Sequence, residues 1–197
     1  MQTRSIEPTS LAERLAALPR RMTVDDYHRL GETGVLLEHD RVELIDGELV
    51  AMSPIGSGHG SFVTRLTGFL WRAVGEYALV WATNPVVLSE LSEPQPDVAL
   101  LKPRADWYAG SLPRPADVLL LIEVADSSLR FDRAVKMPLY ARHGIAEYWL
   151  LDVARRRISV FSDPGDRGYR REVELGEGTL RPALLPQVEV RLEELFR

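Results

Sequence analysis

Two acidic residues stand in places where a carboxylate is costly to bury. Glu123 follows an unbroken aliphatic run in "VLLLIEVA" (residues 118–125), which is typical of a buried strand. Asp97 begins "DVALL" directly after a proline and opens a second predicted strand. A buried carboxylate normally pairs with a cation, becomes protonated or binds a metal. If the two strands are neighbours, both carboxylates can reach one Mg²⁺ or Mn²⁺ ion, because these ions prefer hard oxygen ligands.

A metal-assisted hydrolytic centre also needs a cation near the attacking water or the developing phosphate charge. Lys136 lies on the helix predicted after the Glu123 strand, and Tyr140 lies one turn later on the same face. Lysine occurs only at positions 102 and 136, and arginine supplies the remaining positive charge. This bias favours the interpretation that a position that kept lysine has a specific need for an ammonium group. Asp132, four residues before Lys136, offers the alternative of a simple surface pair.

Each acidic residue also has a structural interpretation. Glu123 could form a buried ion pair with Arg130 or Arg142, and Asp97 could cap a turn after its proline. His59, at a helix start among glycines, could be a cap or surface residue, or could support the site or contact substrate. The sequence by itself leaves these alternatives open.

Other polar and aromatic segments have simpler interpretations. The arginine run 155–157 is interpreted as a solvated turn, with phosphate contact as the second reading. Tyr148 and Trp149 are interpreted as core aromatics. We therefore expect the chemistry to reside in the residues around Asp97 and Glu123.

The elements that must position these residues are both helices and strands. Thr23 is a predicted N-cap, with Asp26 completing a capping box, and Asp46-Gly47 predicts a type I′ hairpin turn. Helices are predicted over 24–32, 59–77, 130–144 and 191–196. Strands are predicted over 41–53 (a hairpin), 79–89, 94–103, 118–125, 146–154, 157–163 and 168–175, with a short one near 188. This pattern predicts one mixed α/β domain.

The composition excludes several classes of protein. The 197 residues are 45% hydrophobic and 27% charged, as in ordinary globular proteins, and no apolar run approaches the ~20 residues of a membrane span. The N-terminus lacks the apolar core of a secretion signal, so we expect a cytoplasmic protein without a membrane partner. The absence of cysteine excludes disulfides and thiolate zinc sites. A net charge of −5 argues against a nucleic-acid coat protein but allows a local basic groove.

Several motifs, taken in order, resemble a known family. "PD" at 96–97 followed by "EVA" at 123–125 resembles the PD-(D/E)XK nuclease superfamily, and the chain more closely resembles the Uma-type family of bacterial restriction-endonuclease-like proteins. The matching stretches are "MTVDDYHRL", "VELIDGELVAMSP", "PQPDVAL", "LIEVADSSLRFDRAVKMPLYARHGIAEYWLLD" and the "GYR…LEELF" tail. Residues 1–21 are accordingly interpreted as a lead-in and 22–197 as a single restriction-endonuclease-like domain.

The resemblance implies a fold and a set of metal ligands. The fold would be an α/β restriction-endonuclease-like core, with a central mixed β-sheet flanked by helices, an N-terminal β-hairpin and a C-terminal β extension. Asp97 and Glu123 would bind Mg²⁺ or Mn²⁺, and Glu43 in "VELIDGEL" would complete the site.

The same resemblance assigns supporting roles and marks one departure from the motif. Ala125 stands where the motif has its lysine, and Lys136 on the following helix matches the position that replaces it in the Uma-type family. Gln95 matches the flanking glutamine and would orient water or phosphate. Pro138, two residues after Lys136, is expected to kink this helix.

The function implied is a Mg²⁺-dependent endonuclease that hydrolyses DNA phosphodiester bonds without a nucleotide cofactor. A homodimer would suit the cutting of both strands of a duplex. The alternative is a catalytically inactive nuclease-fold module that binds nucleic acid or protein, which Ala125, Pro138 and the acidic net charge favour. A glycosidase-type carboxylate pair ranks third, since only Trp107 and Tyr108 suggest sugar stacking.

Overall fold

The structure is a computed structural model that describes residues 10–16, 18, 21–37, 39–54 and 56–196. The chain divides into two compact units, a smaller one formed by 1–52 with 89–93 and a larger one formed by 53–88 with 94–197. Much of the predicted lead-in, namely residues 1–9, 17, 19 and 20, lies outside the described residues. The assignment of 22–197 to a single domain stays a prediction.

The smaller unit contains two helices and a hairpin, and its local signals act as the sequence predicts. Its elements are α1 (Leu11–Ala16), α2 (Val24–Glu32), β1 (Val42–Ile45) and β2 (Glu48–Ala51). Thr23 caps α2: its hydroxyl accepts the Asp26 N–H at 3.2 Å, and Asp26 Oδ2 accepts the Thr23 N–H at 3.0 Å. Asp46 and Gly47 have φ of 53° and 85°, the positive values that a type I′ turn requires. The capping box and the hairpin are therefore confirmed.

The larger unit is built on a six-stranded mixed sheet in the order β3-β4-β5-β6-β7-β8. All neighbours are antiparallel except β5 and β6, which are parallel. A short antiparallel pair, β9 and β10, follows near the C-terminus. The strands are β3 (Leu79–Ala82), β4 (Val98–Leu101), β5 (Val118–Ala125), β6 (Glu147–Asp152), β7 (Arg157–Gly165), β8 (Gly168–Leu175), β9 (Thr179–Leu180) and β10 (Val190–Arg191). The predicted mixed sheet and C-terminal strands are confirmed.

Helix α3 (Ser57–Val74) covers one face of this sheet. Its side chains at helical spacing, among them Phe62, Leu66 and Leu70, share a buried cluster with Ile122 and Val124 of β5. Because side chains alternate along a strand, Glu123 points to the opposite face. Within the described residues, no helix combines the length and apolar character that crossing a bilayer requires.

The opposite face carries an irregular helical segment. It runs through α4 (Leu129–Phe131), a π-helical turn (Asp132–Lys136) and α5 (Met137–Arg142), and the Met137 N–H donates to the carbonyl of Asp132. Pro138 has no N–H, and its ring would clash with the carbonyl four residues earlier in a regular helix. The wider π turn directly before the proline avoids both problems, so the expected kink takes the form of a π turn.

Three predicted strands differ clearly in length or position from those observed. The strand predicted over 94–103 is the shorter β4 (Val98–Leu101). The strand predicted over 79–89 ends at Ala82, where Thr83 adopts a φ of 54° and donates its N–H to the carbonyl of Asp97. The short strand predicted near residue 188 is β10, two residues later. The chain closes with α6 (Leu192–Leu195), inside the predicted terminal helix.

Candidate active site

The pairing of β4 with β5 brings Asp97 and Glu123 together. Val98 lies opposite Ile122 in this antiparallel pair, so Asp97 precedes β4 beside the end of β5. The Asp97 N–H donates to Glu123 Oε2 at 3.3 Å, and the Val124 N–H donates to Asp97 Oδ2 at 2.7 Å. Each acid is therefore held by a main-chain donor of the other acid's strand. The structure thus brings Asp97 and Glu123 together, whereas their convergence on one metal ion stays a prediction.

Glu123 is buried and bonded to two donors from the helical segment. Its Oε1 accepts from Lys136 Nζ at 2.9 Å and from the Tyr140 hydroxyl at 2.7 Å. The side chains of Glu123 and Lys136 are only 4% and 6% exposed. Arg130, by contrast, is exposed and has no ion pair within the described residues. Burial of Lys136 also excludes the alternative of a solvated surface lysine.

Asp97 is less buried and is bonded to a histidine from the first turn of α3. Its Oδ1 lies 3.0 Å from His59 Nε2, and the two side chains are 17% and 19% exposed. The hydrogen bond to Asp97 raises the pKa of His59, against the opposing effect of burial, and the backbone of Val124 and the charge of Asp126 raise it further. His59 therefore contacts Asp97 and is only partly exposed, and its role in supporting the site or contacting substrate stays a prediction.

Two predicted site residues have other surroundings. Gln95 donates from Nε2 to the carbonyl of Thr83 at 2.7 Å, so its side chain fastens the loop after β3. Glu43 lies in β1 of the smaller unit and is 2% exposed. Burial raises the pKa of Tyr27 to about 12, and the charges of Glu93 and then of Glu43 contribute to this increase. The roles of Gln95 toward phosphate and of Glu43 as a third ligand stay predictions.

The donor chemistry of the acidic pair suits a hard divalent cation. Asp97 and Glu123 present carboxylate oxygens from adjacent strands, and Asp97 retains access to solvent. In the described part of the chain, no three His, Asp or Glu side chains form a group that could hold a metal ion. Mg²⁺ is commonly held by one or two carboxylates, with waters and phosphate oxygens completing its shell. Two adjacent carboxylates therefore fit such an ion without a third side chain.

The sequence predicted Tyr148 as a core aromatic but did not anticipate that Asp132 is buried beside the Glu123 contacts. Asp132 is 3% exposed and accepts a hydrogen bond from the Ser128 hydroxyl at 2.6 Å. Tyr148 packs its ring 5.2 Å from that of Tyr140, and burial, aided by the charges of Glu123 and Asp132, raises the pKa of Tyr148 well above its ordinary value. The available signal was Pro138, because a proline inside a helical pattern predicts a distortion that re-aims nearby side chains.

Comparison with known proteins identifies the family. No curated protein matches the chain significantly. A solved structure described as "a putative nuclease belonging to DUF820", from Anabaena variabilis ATCC 29413, is similar with a TM-score of 0.68, covering 89% of this chain and 97% of that one. At 13% sequence identity this likeness concerns the fold. The model of the family Uma2, described as "Putative restriction endonuclease", matches residues 24–193. Since that match spans most of the chain, the protein belongs to the Uma2 family.

Proposed function

We propose that this protein is a metal-dependent endonuclease that hydrolyses phosphodiester bonds of DNA, with Mg²⁺ or Mn²⁺ held by Asp97 and Glu123. The single observation that supports it best is the acidic pair itself, joined across β4 and β5 and backed by a buried lysine. Family membership and the nuclease-like fold support the same chemistry. A bound divalent ion would supply an acidified water and charge neutralisation at the phosphate.

The residues of the chain would hold and orient the two ligands. Lys136 and Tyr140 both donate to Glu123 Oε1, which fixes the rotamer of that carboxylate and leaves its charge balanced inside the fold. His59 and the Val124 N–H fix the two oxygens of Asp97. Such prior alignment matters because catalytic groups must be placed within a fraction of an ångström before substrate arrives. The Lys136 ammonium would also stabilise negative charge that develops on the phosphate.

A plasmid-nicking assay tests this function. Supercoiled plasmid incubated with Mg²⁺ or Mn²⁺ should become nicked or linear, and Asp97→Asn or Glu123→Gln should lower the rate by about 100-fold or more, in line with the loss of an essential electrostatic group. Lys136→Met should do the same, whereas Lys102→Met, at the other and exposed lysine, should cut at the wild-type rate. Equal cutting by wild type, Asp97→Asn and Glu123→Gln would disprove the proposal.

A catalytically inactive binding module is the second candidate, and one observation favours it. All four carboxylate oxygens of Asp97 and Glu123 already have a hydrogen-bonding neighbour in the protein. A self-contained cluster of this kind needs no ion, because buried polar groups require only that their partners be present. Calorimetric titration with Mn²⁺ separates the two functions. The nuclease should bind Mn²⁺ in a manner that Asp97→Asn abolishes, and the inactive module should not.

A further inference from the structure

The arginine turn between β6 and β7 lies at the same edge of the sheet as the acidic pair. β5 and β6 are parallel, so both end at this edge, with Ala125 opposite Asp152. The Val153 N–H donates to the carbonyl of Ala125 at 3.3 Å, which ties the start of the turn to the end of the Glu123 strand. Asp97 directly precedes β4 and is level with Leu150 of β6, so the turn lies two to three strand spacings across and about three residues further along, roughly 15 Å away. The turn is therefore a close neighbour of the candidate active site.

The three arginines of this turn are not equivalent. Arg155 is paired with Asp152, through an Nη1 to Oδ2 distance of 3.4 Å and a main-chain hydrogen bond to Oδ1. The Arg157 guanidinium packs over Gly176, where a Cβ would lie 2.6 Å from Nη1. Arg156 is exposed and has no acidic partner among the described residues. Among the described residues, neither Arg156 nor Arg157 has a side-chain hydrogen bond, but Arg157 packs over Gly176 whereas the Arg156 guanidinium projects into solvent.

Arg156 also occupies an unfavourable backbone conformation. Its φ is 53°, in the left-handed region, where glycine and asparagine are preferred and a long side chain is disfavoured. A two-strand connection of this kind has no need of arginine at that position. An arginine in a strained left-handed conformation, with no side-chain contact among the described residues that stabilises the fold, is a candidate for a functional role, since backbone strain is concentrated at functional sites.

We propose that Arg156 binds a backbone phosphate of the DNA duplex whose scissile bond lies at Asp97 and Glu123. This inference rests on the proposed function, because the duplex is the substrate of that site. Successive phosphates of one strand advance about 3.4 Å along the helix axis, so a span of roughly 15 Å corresponds to about four nucleotides. The planar guanidinium matches phosphate oxygens in pairs. Arg130, exposed on α4 just beyond the end of β5 and also without an acidic partner among the described residues, adds a second cation near this edge.

The matched variants are Arg156→Asn and Arg167→Asn. Asparagine tolerates the left-handed conformation, so Arg156→Asn removes the charge and keeps the turn. Arg167 is likewise an exposed arginine in a hairpin turn, between β7 and β8, and has no acidic partner in the described part of the chain. It lies at the opposite edge of the sheet, about 30 Å away along β7. Both variants remove one positive charge, at opposite ends of β7.

Fluorescence anisotropy measures the contact. Labelled duplexes of several sequences are titrated in EDTA at salt concentrations from roughly 50 to 200 mM, the range over which phosphate contacts are resolved. For Arg156→Asn the dissociation constant should rise several-fold at the lowest salt, equally for every sequence. The slope of log affinity against log salt should become shallower by about 0.9, the value for one lost phosphate contact. Wild type and Arg167→Asn should give the same affinity and slope.

The inference is overturned if wild type does not bind duplex DNA, or if Arg156→Asn and Arg167→Asn bind alike. Because the measurement contains no divalent metal, its outcome is independent of cutting. A protein that shows the Arg156 effect but does not nick plasmid would keep this inference and lose the proposed nuclease activity. A protein that nicks plasmid without the Arg156 effect would do the reverse.

Discussion

Two buried glutamates on adjacent strands of one sheet have opposite environments. Glu123 on β5 and Glu147 on β6 are 3% and 4% exposed. Glu123 accepts from the Lys136 ammonium and the Tyr140 hydroxyl, next to a second carboxylate. Glu147, on the other face, accepts from the Trp149 indole N–H and from the Ala183 N–H, both neutral donors.

The comparison teaches that burial alone does not identify a functional carboxylate. Glu147 fastens β6 to the segment between β9 and β10, and burial raises its pKa despite both hydrogen bonds. Such a group is best satisfied when neutral. Glu123 has the Lys136 ammonium beside it and is in contact with Asp97, a partly exposed acid, which is the environment expected of the proposed metal ligand. The nature of the donors, cationic or neutral, is what separates the two sites.

The largest expected effect on stability is at Lys136. Lys136→Met leaves Glu123 buried without its ammonium partner, and should lower the free energy of unfolding by about 3–5 kcal/mol. Urea denaturation followed by circular dichroism measures this. Adding Glu123→Gln to Lys136→Met should recover much of the loss, because the uncompensated charge is then gone. A double variant no more stable than Lys136→Met would mean that the pair is not coupled.

The next effect separates two buried tyrosines. Tyr140→Phe removes a hydrogen bond to a carboxylate and should cost about 1.5–3 kcal/mol in urea unfolding. Tyr148→Phe is its control, since the Tyr148 hydroxyl has no hydrogen-bond partner within the described residues, and it should be neutral or slightly stabilising. Equal losses in the two variants would contradict the hydrogen bond from Tyr140 to Glu123.

A smaller effect is expected at Glu147. Glu147→Gln retains a side-chain carbonyl that can accept one of the two N–H donors, so the loss should be about 1 kcal/mol at neutral pH. Metal-dependent nicking should stay at the wild-type rate, in contrast to Glu123→Gln. A loss of nicking in a folded Glu147→Gln protein would remove the distinction between the two glutamates.

The smallest effect is the pH dependence of that substitution. A carboxyl group whose pKa is raised in the folded state contributes stability at low pH, and that contribution is lost as pH rises from the ordinary value of 4.5 through the folded pKa. Wild type should therefore weaken relative to Glu147→Gln as pH increases through this range. Unfolding curves from about pH 4 to pH 7, with exposed Glu174→Gln as the control, measure the change. A wild-type protein that becomes more stable relative to Glu147→Gln as pH rises would contradict the predicted direction of the pKa shift.

The sequence predicted those parts of the fold that depend on local patterns. The capping box at Thr23, the Asp46-Gly47 turn and the long amphipathic helix α3 follow from short-range rules, and all are present. The strand after α3 was predicted too long, because its later hydrophobic residues pack in an irregular segment without a strand partner. Periodicity reports burial, and burial does not require a strand.

The candidate site was predicted in its acids and less well in their surroundings. An acidic residue inside an aliphatic run indicates a buried carboxylate that needs a partner, and this pattern singled out Glu123. The partner at Glu123 was left open between a metal and an arginine, and the helix distortion at Pro138 was expected without its form. Contacts of this kind depend on how a helix packs across a sheet, which spacing along the chain does not encode.

The sequence by itself determined which residues carry charge, which segments form most of the strands and helices, and that Asp97 and Glu123 needed partners. Only the tertiary structure decided that those two acids touch, that Lys136 and Tyr140 share one oxygen of Glu123, and that the arginine turn lies at the same edge. The physical reason is that strand pairing and the π turn depend on contacts between residues far apart in the sequence. They are selected by the free energy of the whole packed fold, to which each local segment contributes only a small part.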